Sequence, residues 1–206
     1  AQARTHRSAS GQSNERLEFL GDAVLDLVVS EIVYRHQPRA DEGDLSRLRA
    51  SLVKDKSLAQ LATELGIGEF LVLGGGEKKS GGHRRASILA DAVEALFGAV
   101  YLDAGFDAAY GVIEKAYGRR LHDLPDPSEL RDPKTRLQEF LQARSMDLPV
   151  YELVQVTGRA HKQTFEVTCV IPRVASVTTG KGSSRRSAEQ KSARLMLEIL
   201  DGEGND

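Results

Sequence analysis

From residue 14 to about residue 117, apolar positions recur every three or four residues, the spacing of helices that bury one face. In "NERLEFLGDAVLDLVV", Leu17, Leu20, Val24, Leu27 and Val28 mark such a face. Glycine-rich breaks fall at "LGIGEF" and at "LVLGGGEKKSGGHRR", and the second predicts a long flexible loop. "LHDLPDPSELRDP", with three prolines and several acids, predicts a linker. Beyond it the period changes. "DPKTRLQEFLQAR" predicts a short amphipathic helix, with Asp132 and Pro133 as cap and first-turn residues. "YELVQV" and "TFEVTCVI" alternate as strands do, with a turn through Gly158 between them. A third short strand is expected at about residues 175–179. It leads into "GKGSSRRSAEQKSARLMLEIL", read as a glycine-bearing loop that opens a helix. The expected fold is therefore multi-domain: an all-α domain over 1–120, a linker over 121–132, an α+β domain of order α-β-β-β-α over 133–200, and an acidic tail over 201–206.

Composition narrows the class. The 206 residues are 40% hydrophobic and 28% charged, the balance of an ordinary soluble chain with a real core. No run approaches the eighteen or so apolar residues of a membrane span, and no signal-peptide pattern opens the sequence, so no membrane partner is expected. Cys169 is the single cysteine, which excludes an internal disulfide and argues against a thiolate metal site. It sits in an alternating run and reads as a core residue; a reducing, cytoplasmic setting fits. The net charge of −2 hides an asymmetry. Residues 1–132 carry 17 Lys and Arg against 21 Asp and Glu, residues 133–200 carry 11 against 6, and residues 201–206 add three acids. Cation chemistry and polyanion binding are thus expected in separate parts of the chain.

The acids carry the candidate chemistry. At about 100° per residue, Glu15, Glu18 and Asp22 fall within roughly a sixth of the helix circumference. For that helix alone, a solvated polar face is as good a reading as a cation site. The run "SILADAVEALFGAVYLDAG" is less permissive: from residue 88 to residue 102 its only charged residues are Asp91 and Glu94, three apart on one face. Burying an unpaired carboxylate costs several kcal/mol, so such groups are paired, protonated or bound to metal. A structural network with nearby arginines is one outcome. The other is a hard divalent cation, since Mg²⁺ takes oxygen ligands and supports phosphoryl chemistry. His6, His36, His83, His122 and His161 show no ligand spacing, which leaves zinc and copper unlooked for.

The residues now carry a resemblance. "NERLEFLGDAVLDLVVSEIVY" resembles the signature helix of ribonuclease III, the double-stranded-RNA endonuclease. "DEGDLSRLRASLV", "SGGHRRASILADAVEALFGAVYLD" and "DPKTRLQEFLQ" match the bacterial form in the same order. The α-β-β-β-α segment looks like its double-stranded-RNA-binding domain. The family usually has a further helix ahead of an "ALTHRS" run. This sequence opens "AQARTHRSAS", so that helix is expected to be missing, and Arg4 stands where leucine is common. The resemblance implies that Glu18, Asp91 and Glu94 ligate Mg²⁺, with Mn²⁺ as a substitute, and that Asp22 holds or orients water on the ion. It makes Asp22 and Glu94 the residues most critical to catalysis. Glu15 and Glu42 match outer acidic positions, although Glu42 reads equally well as a charge at a helix start. No nucleotide cofactor is expected.

Duplex RNA offers a shallow minor groove lined with 2′-hydroxyls and a narrow major groove edged with phosphates. Thr135, Gln138, Glu139 and Gln142 share one helical face and resemble the family's minor-groove contacts, and His161 matches the residue that enters the next minor groove. Lys181, Arg185, Arg186 and Lys191 cluster near the last helix's start, where free N–H groups also favour phosphate. The lack of tryptophan and a 5% aromatic share argue against a single-strand binder built on stacking. The resemblance further implies a homodimer in which each acidic cluster cuts one strand, leaving 5′-phosphates, 3′-hydroxyls and two-nucleotide 3′ overhangs. Work in rRNA and mRNA processing and decay is expected with it. Phe19 suits a contact across that dimer interface, with an intrachain core role nearly as good on spacing alone. The rival function is a non-cleaving duplex-RNA binder with a helical dimerisation domain.

Overall fold

The computed structural model describes residues 1–121 and 123–203. His122 and the last three residues of the expected tail lie outside the described residues. The chain divides into two compact units, Ala1–Leu130 and Arg131–Asp206.

The first unit is helical: α1 (Glu15–His36), α2 (Glu42–Val53), α3 (Asp55–Glu64), a short α4 (Gly75–Lys79) and α5 (Ala86–Tyr117). Asp41 caps α2 by accepting from the Asp44 N–H at 2.7 Å. α5 is broken at Gly105, whose φ of 82° lies in the left-handed region that glycine reaches without steric cost. The core gathers Leu25, Val28, Val29 and Ile32 from α1, Leu48 from α2, Leu58 and Leu61 from α3, and Val93, Phe97 and Ile113 from α5. Leu27 departs from the expected apolar face and is 57% exposed. The buried stripe runs through Val24, Leu25, Val28, Val29, Ile32 and Val33. At about 100° per residue, Leu27 points roughly 140° from its centre.

Helices α1 and α5 meet backbone to backbone, and two glycines permit it. A Cβ on Gly21 would strike the Glu94 carbonyl, and one on Gly98 would lie 2.9 Å from the Gly21 nitrogen and strike the Leu17 carbonyl. The segment before α1 is tied down as well. Thr5 pairs with Val72 in a parallel bridge, the His6 N–H donates to the Val72 carbonyl at 3.0 Å, and the Gly74 N–H donates to Ser8 Oγ at 3.0 Å. The glycine-rich stretch expected as a flexible loop is therefore structured. It holds the Val72 bridge, α4 and a turn over Gly82–Arg84, closed by an Arg85–Glu77 ion pair at 2.9 Å. Two of its glycines serve close backbone approach, since a Cβ on Gly74 would collide with the Ser8 carbonyl and one on Gly82 would lie 2.9 Å from the Glu77 carbonyl oxygen, while Gly81 takes a φ of 78°. The expected linker is also anchored in part. Leu121 is buried, and Leu124 and Leu130 pack on the helical core.

The second unit is α6 (Pro133–Ala143), β1 (Val150–Thr157), β2 (Thr164–Val170), β3 (Val177–Gly182) and α7 (Arg185–Glu203). The sheet is antiparallel in the order β1-β2-β3, with a register shift between Leu153 and Gln155. Leu137, Leu141, Cys169, Ile171, Met196 and Leu197 form the core shared by the sheet and both helices. The third strand runs later than expected. Gly180, Lys181 and Gly182 are not loop but strand, with Phe165 paired to Gly182 and Val170 to Val177. Side chains at either glycine would collide with α7, so the strand needs glycine where propensity argues against it.

Candidate active site and duplex-binding face

Glu18, seven residues from Leu25, is half-buried in line with the stripe of α1, whereas Asp22, seven from Val29, lies at its exposed edge. Asp91 and Glu94 lie on α5, two turns and one turn before the Gly98 contact. The helix crossing brings Glu18, Asp91 and Glu94 together, with one carboxylate oxygen from each lying within 4.8 Å of the others. All three titrate high. Burial, then the Asp91 and Glu15 charges, raises Glu18. Burial, then Asp55, raises Asp91, against the opposing pull of His6 and Arg7. Burial, then Asp22, Asp91 and Glu18, pushes Glu94 up to about 8. Asp22 is exposed and stands outside the three-residue group, yet it contributes the largest single charge felt by Glu94.

A cavity of about 450 Å³ opens beside this cluster, lined by Glu15, Glu18 and Asp91 together with His6, Arg7 and Arg85. Glu15 accepts from Ser13 Oγ at 2.9 Å and faces Arg7 at 3.7 Å. Glu42 is not brought into the cluster. It accepts from Ser46 Oγ at 3.0 Å and lines a separate groove with Leu27 and Tyr34. Phe19 is 81% exposed and lines a third depression with Leu20 and Leu102.

In the second unit, Thr135, Gln138, Glu139 and Gln142 are all exposed along one side of α6, opposite the fully buried Leu137 and Leu141. Glu139 pairs with Arg131 at 3.1 Å. His161 is exposed in the loop from β1 to β2. Near the start of α7, Lys181 pairs with Glu166 at 3.3 Å, Arg185 with Glu189 at 2.9 Å and Arg186 with Asp132 at 3.6 Å. Lys191 is exposed. Asp132 also caps α6, and although burial opposes it, hydrogen bonds from Gln190 and the Lys134 amide hold its carboxyl below the usual range. The side chains of Lys181, Arg185 and Arg186 are themselves more than half exposed, a setting in which ion pairs are weak.

Comparison with known proteins bears on both units. Residues 1–121 match the ribonuclease-III-like family and residues 133–200 match the double-stranded RNA binding motif. The chain belongs to the ribonuclease III family. It is 54% identical over 200 residues to Ribonuclease 3 of Alkalilimnicola ehrlichii, covering 97% of this chain and 88% of that one. It is 57% identical over 198 residues to Ribonuclease 3 of Dechloromonas aromatica, covering 96% and 89%. The nuclease domain of ribonuclease III from Campylobacter jejuni superposes with a TM-score of 0.54 at 48% identity, over 56% of this chain and 85% of that one. That structure is described as showing flexibility in the region involved in dimer formation. As a ribonuclease III, this chain is a hydrolase of the endoribonuclease class, with a duplex-RNA-binding module behind a helical nuclease domain. Among the described residues, no helix is long and apolar enough to cross a membrane.

Several residues around the ribonuclease III site carry no sequence signal. Asp55 opens α3 between two lysines and is indistinguishable there from any solvated first-turn acid. His6, Arg7 and Arg85 reach the cavity through the Thr5–Val72 bridge and the turn after α4, which no periodicity anticipates.

Proposed function

We propose that the chain is a Mg²⁺-dependent endoribonuclease that hydrolyses phosphodiesters of double-stranded RNA to 5′-phosphate and 3′-hydroxyl ends with two-nucleotide 3′ overhangs. The observation that carries this reading is the trio Glu18, Asp91 and Glu94, converging across α1 and α5 in a chain that also holds a duplex-RNA-binding module. The donor set suits a hard cation: every ligand atom is a carboxylate oxygen, and burial with mutual repulsion leaves negative charge for a cation to offset. Bound Mg²⁺ supplies charge neutralisation at the phosphate and acidifies an attacking water.

Glu18, Asp91 and Glu94 hold the cation in this reading. Asp22, exposed beside Glu94, accepts a hydrogen bond from the attacking water and orients it, and Asp22 and Glu94 matter most to the rate. Glu15 and Glu42 act outside this group, as outer acids near the scissile strand. Thr135, Gln138, Glu139 and Gln142 face one minor groove and His161 the next. Lys181, Arg185, Arg186 and Lys191 bind the phosphates between. The working form is a homodimer in the cytoplasm, acting in rRNA and mRNA processing and decay without a nucleotide cofactor. An exposed phenyl ring at Phe19, next to exposed Leu102, supports the dimer, because large apolar side chains clustered at a surface mark contact sites.

The test is incubation with duplex RNA, single-stranded RNA and duplex DNA, with and without Mg²⁺. Cleavage is expected for duplex RNA with Mg²⁺ alone. Glu94→Gln should lower cleavage by on the order of 100-fold or more, the scale lost with one charge-stabilising group, while duplex binding in a gel shift stays near wild type. Binding lost in step with cleavage would show that the two units do not divide the work.

A further inference from the structure

The cavity beside the acidic cluster has walls of both signs, and the cations in it are not needed to hold a divalent metal. An RNA backbone brought to four carboxylates meets repulsion that one cation does not cancel along its whole approach, so anionic substrate needs positive groups at the rim. We propose that His6 and Arg7 form a phosphate subsite on that rim, taking an RNA phosphodiester adjacent to the bond that is cut; this rests on the endonuclease reading above.

Three features carry the assignment. First, the backbone bearing these residues is fixed before RNA arrives. The His6 N–H donates to Val72, the Val72 N–H to Arg4 at 2.9 Å, the Asn14 N–H to Thr5 at 2.8 Å, and the Gly74 N–H to Ser8 Oγ. Preorganised groups bind without the cost of ordering a loop. Second, the His6 ring is committed on one side. Nδ1 accepts from the Ser8 N–H at 3.2 Å and contacts Ser8 Oγ at 2.8 Å, whose oxygen already accepts from Gly74. With Nδ1 an acceptor, the ring proton sits on Nε2, which leaves a donor suited to a phosphate oxygen. Third, Arg7 is available. Its pair with Glu15 is long at 3.7 Å and both side chains are more than half exposed, a contact that is weak in water. Arg85 differs, being held by Glu77 at 2.9 Å and by Ser80 Oγ at 3.4 Å, so it serves as a fixed part of the wall. A guanidinium fork matches two phosphate oxygens at once.

The competing account is that Arg7 and His6 only balance the cluster's charge. Duplex-RNA cleavage, RNA binding in the Glu94→Gln background and Mn²⁺ binding to the RNA-free protein separate the two. Arg7→Ala should lower kcat/KM roughly tenfold, the value of one charge-assisted hydrogen bond, chiefly through KM. Arg7→Lys should regain part of the loss by keeping charge without the fork. In the Glu94→Gln background, Arg7→Ala should reduce the magnitude of the log K versus log salt slope by about 0.7–0.9. Mn²⁺ affinity measured by calorimetry should change much less than RNA affinity, since Arg7 is one of several charges felt by Glu18 and Asp91. An unchanged salt slope overturns the subsite, and so does Mn²⁺ binding that tightens in Arg7→Ala with no change in RNA affinity, the mark of a charge balancer. Where Arg7→Ala fails to fold, Arg7→Gln gives the same comparison. Should the wild type leave duplex RNA uncut, the endonuclease reading fails, while the salt slope still decides whether Arg7 meets a phosphate.

Discussion

Glu94 sits where burial and four neighbouring carboxylates act in one direction, and its carboxyl is pushed up to about 8 from the ordinary 4.5. Between those two pH values the folded chain holds a proton that the unfolded chain has released. Metal-free stability therefore falls as pH rises from about 4.5 to 8. Glu94→Gln removes this liability, so in EDTA it should melt higher than wild type at pH 8, with the gap closing toward pH 4.5. Solvent reaches the carboxyl, which discounts the size of the effect but not its sign. Saturating Mg²⁺ should reverse the order, because the wild type alone keeps the full ligand set, and Mg²⁺ affinity should rise with pH as the proton leaves. Melting curves across pH check all three, and a gap that does not vary with pH would remove the assignment to Glu94. The pairing of Asp91 with Glu94 was legible because the other thirteen residues from 88 to 102 are all apolar or small. Glu42 was not separable from the rest by sequence, since only the tertiary structure shows it lining a different groove.

At the scale of elements, the crossing of α1 and α5 fixes how far apart the acids lie. A methyl group at Gly21 must force the helices apart, because the atoms it meets are main chain and cannot rotate away. Gly21→Ala should destabilise the nuclease unit by about 1–3 kcal/mol, the usual cost of overpacking, and should reduce cleavage far more than duplex binding. A denaturant melt and a cleavage assay on one hairpin check this; a folded Gly21→Ala chain with wild-type cleavage would show that the crossing does not set the site. Helix content was legible from the three-and-four period, and so was the change to period two beyond residue 133. The third strand was displaced because its pattern ends in glycines, which read as loop. Only the presence of α7 against Gly180 and Gly182 explains why glycine belongs in that strand. The "GGGEKKSGG" stretch misled for the same reason in part: Gly74 and Gly82 answer close approach to Ser8 and Glu77, whereas Gly81 supplies a φ of 78°.

At the scale of the molecule, acidic and basic halves correspond to two units, each with its own core. Removing residues 131–206 should leave a folded helical unit that binds duplex RNA weakly and with a flatter salt dependence. Each lost phosphate contact takes about 0.7–0.9 from the slope. At low salt with ample Mg²⁺ that unit should still nick duplex RNA, and a folded but inert fragment would assign the second unit a part in the chemistry. The charge asymmetry and the proline-bearing stretch made the division visible in the sequence, whereas the anchoring of Leu121, Leu124 and Leu130 depends on a surface no local pattern encodes. The contact of Gly21 with the Glu94 carbonyl has a consequence for how such a chain can evolve. Because the separation of α1 from α5 is set there by main-chain atoms, it does not depend on which apolar side chains fill the rest of the core. Leu, Ile and Val can replace one another at buried positions such as 25, 58 and 113 while the main-chain contact keeps the acids at the same spacing.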